Sequence, residues 1–459
     1  MSRWWIGLAL VLLSTVPVLF ARSADPKMLE DSDTKVLLQV IRARQDPTAW
    51  FFGDWPLENH FYRPISTLVF EVDNALFGTN AAGYGWTNAL LCALCVIAAF
   101  WFFRELTDRV WLATASAVLF ALWTVDRTYL LANLLSWVPW IILAAGAMAA
   151  LRYGRRDIAA LGGPLAAALT LDFFARETVG IYPLAGRVVT WLPGRTATTM
   201  TLFVFIALAA YARYERLSAA RSRPKPTPLD RPATKSTVIA KPTGPLAAVW
   251  VAVSAVGLAL ALGAYEQAVM VPALLLGVAL TMLWQGYAVR WWPQAIFWGL
   301  LLGYLVLRAR LVPTEASGYQ LQQFRSSVSV FWSIMDYAFP ALGPLSVIRE
   351  TLGIGPAIYL TATPYRVVWF LASNVVAYVE ARRDWVFALA GLAMSTLAFL
   401  PMAWLKHFEH YHYLPMALRS LFVVTLGGVG VQLAISAVAP PALQAPPRPR
   451  PAPGSLPRP

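Results

Sequence analysis

The chain is poor in charge and poor in sulfur. Of its 459 residues only 13% are Asp, Glu, Lys or Arg, while 58% are hydrophobic. A soluble domain with so little charge lacks the polar residues to cover its own surface. The two cysteines, Cys92 and Cys95, lie within one apolar run and have no partners elsewhere, which excludes a disulfide framework or a zinc site and leaves them as small packing residues. No internal repeat is visible, which argues against an inverted-repeat transporter. Acid is scarcer than base, 24 residues against 37, so the net charge is +13. The basic residues gather between apolar runs, as juxtamembrane charges do, and this distribution excludes a nucleic-acid binder.

What the chain has in abundance is long apolar runs, of the length that spans a bilayer core as helix. They cover residues 4–20, 86–103, 110–125, 129–150, 158–172, 197–213, 246–263, 268–286, 293–308, 364–380, 386–404 and 414–436. The expected fold is therefore all-α, a polytopic transmembrane helical bundle of about 12 spans occupying residues 1–436. With both ends cytoplasmic, the basic clusters Arg152/Arg155/Arg156, 214–245 and Arg382/Arg383 fall inside, satisfying the positive-inside bias. Residues 178–192 are apolar but interrupted by Pro183 and Arg187; counting them as a span would send the basic 214–245 linker outside, so they read as re-entrant or interfacial. Small residues Ala21, Ser23 and Ala24 follow the first run as at a processing site, yet the many later spans favour a retained anchor. The 214–245 linker and the Pro-rich tail 437–459 read as disordered and cytoplasmic, the linker attracted to anionic membrane lipids. Trp4, Trp5, Trp291 and Trp292 sit near span ends, as interface anchors do.

Two outer regions, 21–85 and 309–363, exceed simple connections, and the first holds nine of the 24 acidic residues. Within it, Val36, Leu37, Val40 and Ile41 recur at helical spacing, predicting a short amphipathic helix over 32–44. Asp31 stands at its N-cap and Asp33 in its first turn, where the macrodipole favours negative charge. A second helix begins at Pro64 and is capped by Gly78. Both are too short and one-sided to span, so both are expected to lie along the outer surface. His60, Tyr62 and Arg63 precede the second helix, where backbone N–H groups and a planar guanidinium suit a phosphate; lipid-headgroup snorkelling is the plainer alternative for Arg63.

The stretch "WFFGDWPLENHFYRPISTLVFEVDNALFGTNAAGYGWTN", with Tyr62-Arg63-Pro64 and the run from Phe77 to Asn88, resembles the first outer loop of GT-C-type integral membrane glycosyltransferases, closest to the protein O-mannosyltransferase-like branch. Further likenesses are "ARETVGIYP", "AYEQAVMVP" and "EHYHYLP". The chain departs from the pattern at Cys92, where relatives often carry histidine, and in "WTVDRTYL", where Asp126 and Arg127 replace another. The resemblance implies a catalytic acid in the first outer loop, here Asp31 with Asp33 or Glu30 as second choices. It also implies a polyprenyl-phosphate sugar donor and, in some branches, a divalent cation such as Mg or Mn; Asp31-Ser32-Asp33 forms a D-x-D, but which residues would bind metal stays open.

Independently of family, an acceptor hydroxyl attacking a sugar needs a general base, and the leaving phosphate needs fixed positive charge. Glu177, Glu266 and Glu409 lie at outer ends of spans, where they either line the same cavity or end helices in water. His410 and His412 are further cavity candidates, though two histidines do not make a metal site. Arg308 and Arg310 fit a phosphate less well than snorkelling. The expected function is sugar transfer from the lipid-linked donor to an acceptor hydroxyl, on the outer face of a bacterial cytoplasmic membrane. The alternatives are a transporter or flippase, or a polymerase or ligase, of lipid-linked saccharides. A transporter would place its ionisable groups near mid-membrane, whereas a ligase would carry its largest outer loop late in the chain.

Overall fold

The computed structural model describes residues 4–44, 46–125, 187–220, 245–338, 382–406 and 408–438. The expected spans 129–150, 158–172 and 364–380, residues 178–186, Glu177, the linker beyond residue 220 and the tail from 439 lie outside the described residues. Among the described residues the chain is helical, and its one β-type pairing is an isolated bridge between Phe324 and Leu405. Among these same described residues, five helical segments are long and apolar enough to cross a membrane: Ala81–Thr107, Leu192–Ser218, Glu266–Trp284, Trp292–Leu311 and Asp384–Ala403. In hydrocarbon every backbone N–H must find a carbonyl within its own segment, so apolar runs of this length fold as helices.

Helices cover the nine expected spans that lie among the described residues. In chain order they are α1 (Trp4–Phe20), α2 (Ser32–Arg44), α3 (Pro64–Phe77), α4 (Ala81–Thr107), α5 (Val110–Thr124), α6 (Arg195–Ala220), α7 (Pro245–Leu262), α8 (Val271–Trp284), α9 (Trp292–Leu311), α10 (Gly318–Gln323), α11 (Ser327–Ala338), α12 (Arg382–Ala403) and α13 (Tyr413–Val438). Proline opens α3 and α7 and sits in the first turn of α8 and α9, where the missing N–H has no intrahelical role. The centre of the bundle is α6, buried along most of its length and packed on α4 and α7. By contrast α9 turns Trp298, Leu302 and Leu305 outward, the face an apolar solvent would wet.

Cys92 and Cys95 are buried and unbridged, and their thiols reach the carbonyls of Val188 and Thr198. They pack, as the sequence indicates. Gly391 of α12 lies so close to α13 that an added Cβ would stand 2.6 Å from the Phe422 backbone nitrogen. Small residues allow such close backbone approach, which is how helices associate where lipid removes the hydrophobic drive.

The helix ends that the sequence assigns to the outer side converge on one end of the bundle. A second apolar cluster sits there, with Leu37, Leu38 and Ile41 of α2 against Trp50, Trp55, Phe70, Tyr84 and Leu192. It fastens α2 and α3 over the bundle end, so neither crosses it. Gly78 closes α3 at φ +56°, a backbone conformation that favours glycine.

Candidate functional site

Between α2, the loop before α3, the turn before α6 and the segment before α13 lies a cavity of about 470 Å³. Its walls bring acid, base and aromatic faces together. An apolar groove of about 440 Å³ between α8 and α12, lined by residues such as Leu276 and Leu389, has no charged residue in its wall.

One wall is the start of α2. The Asp31 carbonyl accepts the first helical bond from Lys35 N–H at 2.9 Å, and its Oδ2 caps Thr34 N–H at 3.4 Å. The capping role read from the sequence is therefore present, and Asp31 lines the cavity as well. The same oxygen accepts from the Trp191 indole Nε1 at 3.4 Å. Asp33 also lines the cavity, and partial burial together with the negative charge of Asp31 raises its pKa. Glu30 closes a short 3₁₀ turn and is exposed, away from the cavity wall.

The rest of the acidic loop is structural. Asp25 and Asp46 cap 3₁₀ turns, and Glu71 accepts from Trp50 Nε1 at 2.7 Å. Asp54 gathers the N–H groups of Trp55, His60 and Phe61 at 2.7–2.9 Å and so shapes the loop before α3. Asp73 is paired with the buried Arg195 at 2.6 Å. Of the nine acids, only Asp31 and Asp33 reach the cavity.

A second wall holds Arg63, and here the expectation changes. Its Nη2 and Nε both meet Glu266 Oε2, at 2.7 and 2.8 Å, while Phe61, Tyr265 and Trp55 rings surround the guanidinium at 4.1, 4.5 and 5.1 Å. It is held by a carboxylate at Nε and Nη2 and by an aromatic cage, and it lines the cavity from within that ion pair. Glu266 is its counter-ion and does not itself line the cavity. The start of α3 is engaged too, since Ile65 N–H donates to the Gly263 carbonyl at 2.9 Å. Tyr62 donates to the Phe51 carbonyl at 3.1 Å, and His60 Nδ1 lies 2.8 Å from the Glu315 carbonyl, so both are loop ties outside the cavity wall. Arg308 bonds the His60 carbonyl at 3.1 Å, another loop tie, and leaves Arg310 exposed.

The third wall supplies residues that sequence reasoning passed over. Arg187 opens a helical turn in the segment read as re-entrant, and its guanidinium lies 4.5 Å from the Trp191 ring. Its Nε is buried without a hydrogen-bond partner, and no carboxylate among the described residues forms an ion pair with it. Asp31 and Arg187 thus share one indole, the acid at its N–H edge and the cation on its face. The one available signal was a lone arginine inside an apolar stretch. His410 packs on Trp191 at 5.1 Å; its Nδ1 is buried without a partner, and burial, reinforced by Arg187 and Arg63, pushes its pKa down to about 3. His410 is therefore neutral at physiological pH. His412 turns away to stack on Phe399 and Tyr337 at 5.3 and 5.9 Å, and Glu409 does not reach the cavity wall.

The cavity is roofed by α10, which contributes Tyr319 and Gln323. A capping box between Ser317 and Gln320 fixes its start, and Ser317 Oγ and Gln320 Nε2 bond the carbonyls of Asn59 and His60. Asp31 and Asp33 offer two oxygen donors, the protein share typical of a Mg site that substrate phosphate completes. Among the described residues no third His, Cys, Asp or Glu joins them. Compared with protein-family models, curated proteins and solved structures, the chain matches none.

Proposed function

We propose that this protein is a membrane glycosyltransferase of GT-C type, moving a sugar from a polyprenyl-phosphate donor to an acceptor hydroxyl. The observation that carries the reading is the pairing of Asp31 with Arg187 across Trp191 inside an aromatic-lined cavity at one end of an apolar bundle. In-line sugar transfer needs that pair: a base for the incoming hydroxyl and a cation for the departing phosphate. Asp31 takes the proton as the acceptor oxygen bonds the anomeric carbon. The bond from that carbon to the phosphate oxygen breaks, and the phosphate leaves with its electron pair toward Arg187. Asp33 adds negative charge beside the base, and its raised pKa makes it the second proton acceptor. A Mg or Mn ion held by Asp31 and Asp33 would add charge neutralisation at the phosphate. Trp191, Tyr265 and Tyr411 supply flat apolar faces suited to a sugar ring, and neutral His410 supplies a polar atom without charge. The sequence likeness to the protein O-mannosyltransferase-like branch supports the same reading, as does the outer-loop origin of the acid.

The test is transfer of radiolabelled sugar from a panel of polyprenyl-phosphate donors, by membranes carrying the wild type, Asp31→Asn, Arg187→Ala or Arg63→Ala. Wild-type transfer that is abolished by Asp31→Asn and Arg187→Ala at equal expression supports the proposal. No wild-type transfer from any donor, or full activity of Asp31→Asn together with Asp33→Asn, overturns it.

A further inference from the structure

At the far end of the bundle, where α1 and α7 begin and α4 and α6 near their ends, a second cavity of about 540 Å³ opens. Along α6, Thr196 of the first cavity and Arg213 of the second are 17 residues apart, about 26 Å at helical rise and close to one hydrocarbon thickness. Its walls are Trp4, Trp101, Trp250 and Phe100, and its charged side is Arg104, Glu105 and Arg213. Trp101 and Trp250 meet edge to face at 5.8 Å. Such indoles belong at the headgroup level of a bilayer.

The charges form a graded set. Glu105 is buried and receives Arg213 at 3.4 Å and Arg216 at 3.8 Å, while Arg216 is more tightly held by Asp108 at 2.8 Å. Arg104 has only the exposed Asp108, at 3.2 Å. Three guanidiniums stand against two carboxylates, which leaves one positive charge. The two guanidiniums that line the cavity, those of Arg104 and Arg213, are also the two with long, single contacts, so they retain N–H donors for a ligand. A monoanionic phosphodiester matches that surplus and the planar forks.

We propose that this cavity binds one membrane phospholipid, its phosphodiester between Arg104 and Arg213 and its glycerol and upper chains against the three tryptophans. Glu105 sets the position of Arg213 and does not touch the lipid. The lipid joins α1, α4, α6 and α7 at the end opposite the sugar-transfer cavity, and the inference stands independently of that reading.

Native mass spectrometry of the full chain in mild detergent tests it, with dioleoyl phosphatidylglycerol, dioleoylglycerol and inorganic phosphate as probes. One phosphatidylglycerol is expected to survive activation that strips dioleoylglycerol, and Arg310→Gln, at the other end, should not alter this. Arg104→Gln with Arg213→Gln should weaken retention about tenfold or more, since each charged contact approaches a factor of ten. Ile97→Trp fills the cavity with both arginines intact, and it should lose the lipid equally even where the double variant folds poorly. Equal retention of dioleoylglycerol, tight binding of phosphate alone, or a lipid that persists in Ile97→Trp would each overturn the proposal.

Discussion

Asp73→Asn is the sharpest test of how the bundle end under α2 and α3 is held. Asp73 sits on α3 and Arg195 opens α6; their Oδ2 and Nη1 are 2.6 Å apart, with side chains 3% and 0% exposed. The same guanidinium donates to Asn88 Oδ1 at 2.7 Å and the Tyr84 carbonyl at 3.1 Å, and Thr87 donates to Asp73 Oδ1 at 2.7 Å. Asparagine keeps the shape and the bond from Thr87 but removes the charge. Arginine does not shed its proton in proteins, so a buried cation is left without a counter-ion. Breaking a buried pair from one side costs about 3–5 kcal/mol. Because two neutral acceptors remain on Arg195, the expected loss lies at the lower end, about 3 kcal/mol. Removing both charges, as Asp73→Leu with Arg195→Met, should recover at least half of that loss, because no ion is then stranded. The assay is reversible unfolding in mixed micelles followed by tryptophan emission, with all three variants run alongside the wild type. If Asp73→Asn unfolds within about 0.5 kcal/mol of wild type, the pair does not anchor α3 and the reasoning fails.

Arg187→Ala should lower sugar transfer by about 10²–10³, the range for loss of one preorganised electrostatic donor, with an unchanged melting temperature; Arg63→Ala should instead lower the melting temperature, because Glu266 is left partly buried and alone. Circular dichroism melts beside the transfer assay separate the two. His410 is held neutral in the fold, with a pKa near 3 against an ordinary 6.5, so its contribution is intact above 6.5 and is lost as pH falls toward 3. Wild type should therefore lose up to about 1.4 kcal/mol per pH unit from this residue below 6.5, and His410→Gln should show a flatter profile between pH 6.5 and 5 in the same melts. Gly391→Ala pushes a methyl into the α13 backbone and should destabilise the bundle by about 1–3 kcal/mol in micellar unfolding; a neutral outcome would mean that α12 shifts freely.

Helices were largely legible before any coordinates, because each announces itself within one window. Residues 32–44 follow from four apolar positions and an acidic cap, and Pro64 with Gly78 bounds α3 to the residue. Asp31 was legible for the same local reason. What was not legible is who partners whom. Arg63 and Glu266 are 203 positions apart, and Asp73 and Arg195 are 122 apart. Arg63 looked free because its counter-ion belongs to the turn between α7 and α8, which no local pattern connects to it. Arg187 and Trp191 were hidden inside a segment judged by hydropathy alone, where the charge read as an interruption.

That distinction between paired and unpaired charge also bears on transport as the rival activity. A transporter carries its working charges to mid-membrane on broken helices. Among the described residues, the long apolar helices keep Asp, Glu, Lys and Arg within two turns of their ends: Arg195 opens α6 and Arg213, Glu215 and Arg216 lie near its close, Arg104 and Glu105 close α4, and Arg308 and Arg310 close α9. Arg419 of α13 lies in its second turn and is bound to the Tyr337 carbonyl at 2.7 Å. At the end of the bundle that holds the first cavity, Arg63 is fixed by Glu266 and Asp73 by Arg195, and these pairs hold the wall in place. Asp31, Asp33 and Arg187 line the cavity outside those ion pairs. Among the described residues, the frame of this cavity is neutralised and its remaining charges are two carboxylates and one guanidinium, an arrangement that suits the proposed transfer at a polar group. Charge gathered toward the helix ends, with the helix middles clear of it, fits chemistry at a surface better than passage through the bundle.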